Sequence, residues 1–177
     1  MKVISVFGSS APQSGSPDYE QARLVGRLLA EAGCAVATGG YGGIMTAVSH
    51  GASETGGHVI GVGSQRIEQY RQDGMNPYVT ETVMFGNLTD RLLHLVRHND
   101  GIIALPGGIG TISEVALTWS LLQVGEIDPR PFALIGSLWQ TTIETFANPM
   151  YVREKDMRLL AFSSSPESAV AHVTRPH

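Results

Sequence analysis

Cysteine is almost absent. Cys34 stands alone in 177 residues, which excludes an internal disulfide and any all-cysteine metal site. It lies in the apolar run Cys34-Ala35-Val36-Ala37, where a small thiol reads as core rather than as a reactive group. Lysine is nearly as scarce, with only Lys2 and Lys155 present. No block of positive charge exists to follow a phosphate backbone, and a formal net charge of -4 argues against nucleic acid as a partner. Long apolar runs are lacking too. Met1-Lys2-Val3-Ile4-Ser5-Val6-Phe7 is stopped by Gly8-Ser9-Ser10, far short of a signal-peptide core or a membrane span, which predicts a cytoplasmic chain with no membrane partner. Charged residues make up only 16%, low for a chain whose entire surface must face water, so part of that surface is expected to be buried between subunits.

What the chain does have is apolar residues, 42% of the total, in a length that suits one domain with one core. They fall in a repeating pattern. Short β-branched runs at Val3 to Phe7, Ala35 to Thr38, Val59 to Val62, Gly101 to Leu105 and Phe132 to Ile135 read as strands. Longer amphipathic stretches at about Pro17 to Ala32, Gly43 to Thr55, Gly86 to His98 and Thr111 to Gln123 read as helices. Strands apolar on both faces that alternate with helices predict an α/β fold, a doubly wound parallel sheet flanked by helices. From Asn148 onward a helical tail is expected to pack on it. Ser163-Ser164-Ser165-Pro166-Glu167 reads as the cap of a short last helix through Val170. No repeat or linker divides the chain, so residues 1–177 are expected to form a single domain.

Right-handed crossovers bring all strand-to-helix loops to one edge of such a sheet, and ligands bind there. Three loops carry suitable chemistry. Gly8, Ser9 and Ser10 leave the first strand with one close-approach position and two hydroxyls. Thr38-Gly39-Gly40-Tyr41-Gly42-Gly43-Ile44-Met45 runs from a strand straight into a helix and can bring ligand atoms close to amide groups at the helix's positive end. Its spacing differs from a dinucleotide fingerprint, and no acid follows at the expected distance. The third loop, Leu105-Pro106-Gly107-Gly108-Ile109-Gly110-Thr111-Ile112-Ser113-Glu114, combines a glycine turn with a threonine at a helix start, a geometry suited to phosphate. Glu114 falls about one turn into that helix, where a carboxylate serves sugar or water better than phosphate.

Pro106-Gly107-Gly108-Ile109-Gly110-Thr111-Ile112-Ser113-Glu114 resembles the PGGxGTxxE motif of the LOG ("Lonely Guy") family, the cytokinin riboside 5′-monophosphate phosphoribohydrolases often mislabelled lysine decarboxylases. The resemblance extends through Val6 to Ser10, through Gly39 to Met45 and through the helix carrying Arg91. It implies a Rossmann-like homodimer that hydrolyses the N-glycosidic bond of a nucleoside 5′-monophosphate, cytokinin riboside monophosphate or AMP-like, to free base and ribose 5-phosphate. It also implies that Arg91 and Glu114 are catalytic. In this chain Leu92 stands where the family has a lysine after the arginine, and Ser113 where its common form has a first glutamate. Relatives with the same glycine loops include a molybdenum-cofactor carrier group, which gives the alternative of a binding protein without turnover.

On the resemblance, Gly107, Gly108, Gly110 and Thr111 are assigned to the phosphate, and Gly8, Ser9, Ser10, Gly39, Gly40, Gly42, Gly43 and Met45 to the nucleoside side. No metal or cofactor is expected. His94 and His98 share a helix face at metal-ligand spacing but lack a third ligand, and read as surface or interface residues. Leu92, Leu95, Val96, Val115, Trp119 and Leu122 read as core or dimer contact. Decarboxylation is set aside, because Lys2 and Lys155 lie outside the loops and a pyridoxal-phosphate enzyme needs a Schiff-base lysine.

Overall fold

The computed structural model describes residues 1–70 and 74–175, so positions 71–73 and 176–177 of the expected domain lie outside the described residues. Seven parallel strands form one sheet in the order β4-β3-β2-β1-β5-β6-β7. They are β1 (Val3–Phe7), β2 (Ala35–Thr38), β3 (Val59–Ser64), β4 (Glu81–Phe85), β5 (Gly101–Ala104), β6 (Phe132–Ile135) and β7 (Ala161–Ser163). The helices are α1 (Pro17–Glu31), α2 (Ile44–Ser53), α3 (Gln65–Tyr70), α4 (Leu88–Arg97), α5 (Ile109–Val124), α6 (Ser137–Phe146), α7 (Glu154–Met157) and α8 (Pro166–Thr174).

Alternation along the central strands builds a core on each face. In β5, Ile103 joins Val6 of β1 and Val36 of β2 on the side covered by α1, α2 and α8. Ile102 and Ala104 turn to the other side, where Leu95, Val96, Val115, Leu122 and Trp139 from α4, α5 and α6 complete a second cluster. The predicted stripe is therefore core at Leu95, Val96, Val115 and Leu122, with Leu92 and Trp119 partly buried against it. Cys34 is buried.

Helix starts follow local chemistry. Ser16 accepts a hydrogen bond from the Tyr19 amide ahead of Pro17, and Ser165 and Ser168 form a reciprocal capping box that starts α8, each satisfying amides that the helix itself leaves without acceptors. The tail from Asn148 onward is more than helical: besides α7 and α8 it contributes β7, which pairs with β6. Edge strand β4 is also additional to the strands read from the sequence. Two of its five residues are acidic or hydroxylated at the start, Glu81 and Thr82, and it pairs only with β3 among the described residues.

The two halves of the sheet diverge from β1, which is hydrogen-bonded to β2 on one side and β5 on the other. The chain after β2 continues outward to one edge and the chain after β5 to the other, which opens a crevice beyond the carboxyl ends of β1 and β5. The glycine-bearing loops gather at that crevice.

Candidate active site

A pocket of about 510 Å³ lies at the crevice, and its floor and walls come from the three glycine-bearing loops together with α3 and α4. The loops are tied to one another through backbone. Ser9 N donates to Pro106 O at 3.1 Å, Leu105 N to Phe7 O at 2.9 Å and Ile44 N to Ser9 O at 2.8 Å. The first loop is thereby held between the third loop and the start of α2. Gly43, with φ 66, has no space for a side chain, because a Cβ would collide with the Ser10 backbone. Its role is to let the first loop lie flat on α2, which places Ser9 and Ser10 at the pocket wall.

The sequence-derived residues divide into two groups. Gly8, Ser9, Ser10, Gly39, Met45, Arg91, Gly108, Gly110, Thr111 and Glu114 all line the pocket. Gly40 instead packs against Met75 and the Gly61 backbone, and its carbonyl accepts from the amide and side chain of Asn76. Gly42 lines a smaller neighbouring cavity. Gly107 lies against the Thr111 side chain, where it allows the tight turn into α5. Gly40, Gly43 and Gly107 thus shape the site from behind.

Gly108 is the N-cap of α5 and supplies no side-chain cap. The amides of the first helical turn have no intrahelical acceptors of their own, and Gly108, Ile109 and Gly110 at that end of the helix line the pocket, where the helix dipole adds positive potential. Across from them α4 begins. Asn87 caps it by accepting from the Asp90 amide, which fixes the first turn and turns Arg91 inward, 7% exposed. Arg91 Nε donates to Val62 O at 2.8 Å, and Nη1 stands 3.7 Å from Glu114 Oε1. Gly39 makes room for this arginine, since a Cβ there would collide with its guanidinium.

Glu114 is 9% exposed and is the one carboxylate among the described residues lining the pocket. Burial pushes its carboxyl up to about 7, and the neighbouring Arg91 charge acts in the opposite direction. Loss of a proton at this position therefore opposes folding. Both folded and unfolded chains hold the proton below the ordinary carboxylate value of 4.5, and stability declines as pH rises from there through about 7. The full decline is roughly 3 kcal/mol. Glu114→Gln, which has no proton to lose, is expected to match the parent at about pH 4 and exceed its unfolding free energy by roughly that amount at about pH 8. Equal pH slopes in urea titrations of the two proteins would show that the carboxyl is not so perturbed.

Arg66, Ile67, Tyr41, Leu88 and Ile109 also line the pocket and were not singled out by the sequence reading. The signal for Arg66 was the length of β3, which runs two residues past Val62 and delivers α3 to the same sheet edge. His94 of α4 stacks ring on ring at 4.3 Å with His98, the residue that ends the helix, and also meets Phe85. Among the described residues no group of three His, Cys, Asp or Glu side chains could hold a metal ion. Nor is any described helix long and apolar enough to cross a membrane.

Residues 1–127 match the model of the SLOG cluster4 family. The chain is 33% identical over 135 residues to cytokinin riboside 5′-monophosphate phosphoribohydrolase LOG of Oryza sativa subsp. japonica, covering 75% of this chain and 54% of that protein. It is 30% identical over 124 residues to the cytokinin riboside 5′-monophosphate phosphoribohydrolase of Rhodococcoides fascians, covering 68% of this chain and 62% of that one. The chain thus spans little more than half the length of these relatives. Its fold is similar to that of the molybdenum cofactor binding protein from Rippkaea orientalis, with TM-score 0.74 and 27% identity over 96% of this chain and 93% of that one.

Proposed function

The chain belongs to the SLOG cluster4 family, and from that premise we propose that it hydrolyses the N-glycosidic bond of a nucleoside 5′-monophosphate to free base and ribose 5-phosphate. The observation that carries this reading is Glu114, a buried carboxyl at the wall of a pocket with an open helix N-terminus beside it and the Arg91 guanidinium 3.7 Å away. The relatives named phosphoribohydrolases support it at family level.

The 5′-phosphate rests on the α5 amides around Gly108 and Gly110 with the Thr111 hydroxyl, and the nucleoside lies along Gly8, Ser9, Ser10, Gly39 and Met45. Rupture of the C1′–N bond builds positive charge on the ribose ring. Ionised Glu114 stabilises that charge and takes a proton from the attacking water, so the water oxygen joins C1′ as the electron pair departs with the base. A carboxyl that titrates near 7 is well matched to this exchange at neutral pH. Arg91 orients the carboxylate and offsets part of its burial penalty. The test is release of free base and ribose 5-phosphate from a panel of nucleoside 5′-monophosphates, and no release from any of them would remove the hydrolase reading.

The whole-chain likeness to a molybdenum cofactor binding protein favours one second reading, ligand binding at the same pocket without turnover. Tight binding of a phosphate-bearing ligand with no bond cleavage in that assay would support it.

We also propose that the chain acts as a homodimer. Val124, Phe146, Met150 and Tyr151 are 66 to 79% exposed, and Trp119 meets Phe146 edge-on. Side chains of this size in a chain with few charges are suited to an interface. Sedimentation velocity is expected to give twice the monomer mass, and Phe146→Glu to give the monomer. A monomer in the parent protein would sink the proposal.

A further inference from the structure

Arg66 has no part in the hydrolytic chemistry assigned to Glu114 and Arg91, yet it lines the same pocket. β3 ends at Ser64, whose hydroxyl accepts from the Ile67 amide at 3.3 Å, so α3 begins at once and brings Arg66 to the sheet edge where the loops gather. Among the described residues its side chain forms no ion pair and no hydrogen bond. The other arginine of the pocket is committed, its guanidinium held between the Val62 carbonyl and Glu114. In the sheet order, β2 and β1 stand between the ends of β3 and β5. Three strand spacings amount to about 14 Å, which puts the base of Arg66 across the pocket from the α5 amides. A nucleotide whose phosphate rests on α5 extends its base toward Arg66.

A guanidinium offers donors only. A 6-oxopurine presents O6 and N7 side by side, two acceptors at the spacing of the guanidinium fork. Adenine presents N7 beside an amino group that is itself a donor, a pair matched by an asparagine or glutamine amide and mismatched by arginine. No asparagine or glutamine is among the described residues lining the pocket. Ile67 and Leu88 line the same pocket and provide apolar surface for a flat ring.

We infer that Arg66 reads the base and that the substrate class is a 6-oxopurine nucleoside 5′-monophosphate, of the inosine or guanosine type, rather than an adenine nucleotide. This rests on the hydrolase reading of the same pocket. In the reaction the C1′–N9 bond breaks and its electron pair spreads over N9, N7 and O6 of the departing purine, where the Arg66 donors stabilise it. The water oxygen bonds to C1′, and the proton taken by Glu114 passes to the purine.

The experiment compares inosine, guanosine and adenosine 5′-monophosphates on the parent protein and on Arg66→Gln. It reads kcat/KM for base release, together with calorimetric dissociation constants measured on the Glu114→Gln background so that ligand is not consumed. Arg66 is exposed on a short helix, and unchanged melting is the control. The parent is expected to favour the two 6-oxopurine nucleotides by about tenfold to a hundredfold, and Arg66→Gln to erase or reverse the preference. Equal losses for all three would assign Arg66 to the phosphate and overturn the inference. Base release without preference would overturn it while the hydrolase reading stands. Preference in binding without base release would retain the role of Arg66 and remove hydrolysis, and binding of none of the three would end both.

Discussion

Glu114→Gln is expected to lower kcat for base release by about a thousandfold, within the range of a positioned carboxylate that serves both charge and proton transfer. Glutamine fills the same space and keeps the polar contact toward Arg91, so the loss reports the missing charge and base rather than a collapsed wall. The effect should fall on kcat, with KM altered severalfold at most, because the proposed phosphate cradle uses α5 amides and the Thr111 hydroxyl and not Glu114. The same variant is the one expected to gain stability over the parent as pH rises from 4.5, in full above about 7, since burial has pushed the Glu114 carboxyl up to about 7. Loss of turnover together with gain of stability is what a functional carboxylate held in an unfavourable place produces. A variant that retains a tenth of the parent rate would remove Glu114 from the chemistry.

Arg91→Met is expected to reduce kcat/KM by about a hundredfold or more and to move the pH profile. If Glu114 acts as proposed, activity of the parent is expected to rise as this carboxyl loses its proton, which puts the expected midpoint of the acid limb of kcat/KM near 7. Arg91 lowers the pKa of that carboxyl against the effect of burial. Its removal leaves burial unopposed, and the midpoint moves to higher pH. Methionine keeps most of the volume, which limits the packing loss at a position only 7% exposed. A reduced rate with an unmoved midpoint would assign Arg91 to substrate contact alone and break the proposed coupling to Glu114.

Much of this site was legible because its chemistry is concentrated in loops dense with glycine, a residue that weakens strand and helix interiors and is useful where backbone must turn sharply or approach a ligand. The run from Leu105 to Glu114 showed both an open helix start and a carboxylate one turn further on, and the structure places both at the pocket. Arg91 was legible through resemblance. Its inward direction depends on the Asn87 cap and on the Val62 carbonyl, and neither is visible in helical periodicity. What the loops do with their glycines was less legible, since Gly40, Gly43 and Gly107 serve packing behind the wall rather than ligand approach. Strand β4 was missed because an edge strand need not be apolar on both faces: Glu81 and Thr82 are exposed, as is Met84. Helix α6 carries its buried side on Trp139 and Ile143 alone, too sparse a stripe to outweigh its threonines. Arg66 sits on a single helical turn and a half, below the length at which any period can be read.

The pairing of β1 with β5 has a consequence for how the protein is made. Ile4 is opposite Gly101 and Phe7 opposite Ala104, so the first strand waits for nearly a hundred residues of chain before its second neighbour exists. Synthesis proceeds from the amino terminus, so Arg91 emerges near the end of that interval and the α5 amides and Glu114 after it. A nascent chain can pair β1 with β2 and pack α1 on α2 early, which sets the first two loops of the pocket, but it still lacks the α5 turn and Glu114 that complete the lining. Closing so distant a contact is entropically slow, and the pocket is therefore among the last features to form. Any molecule that fits this pocket meets its full lining only once the two halves of the sheet have joined.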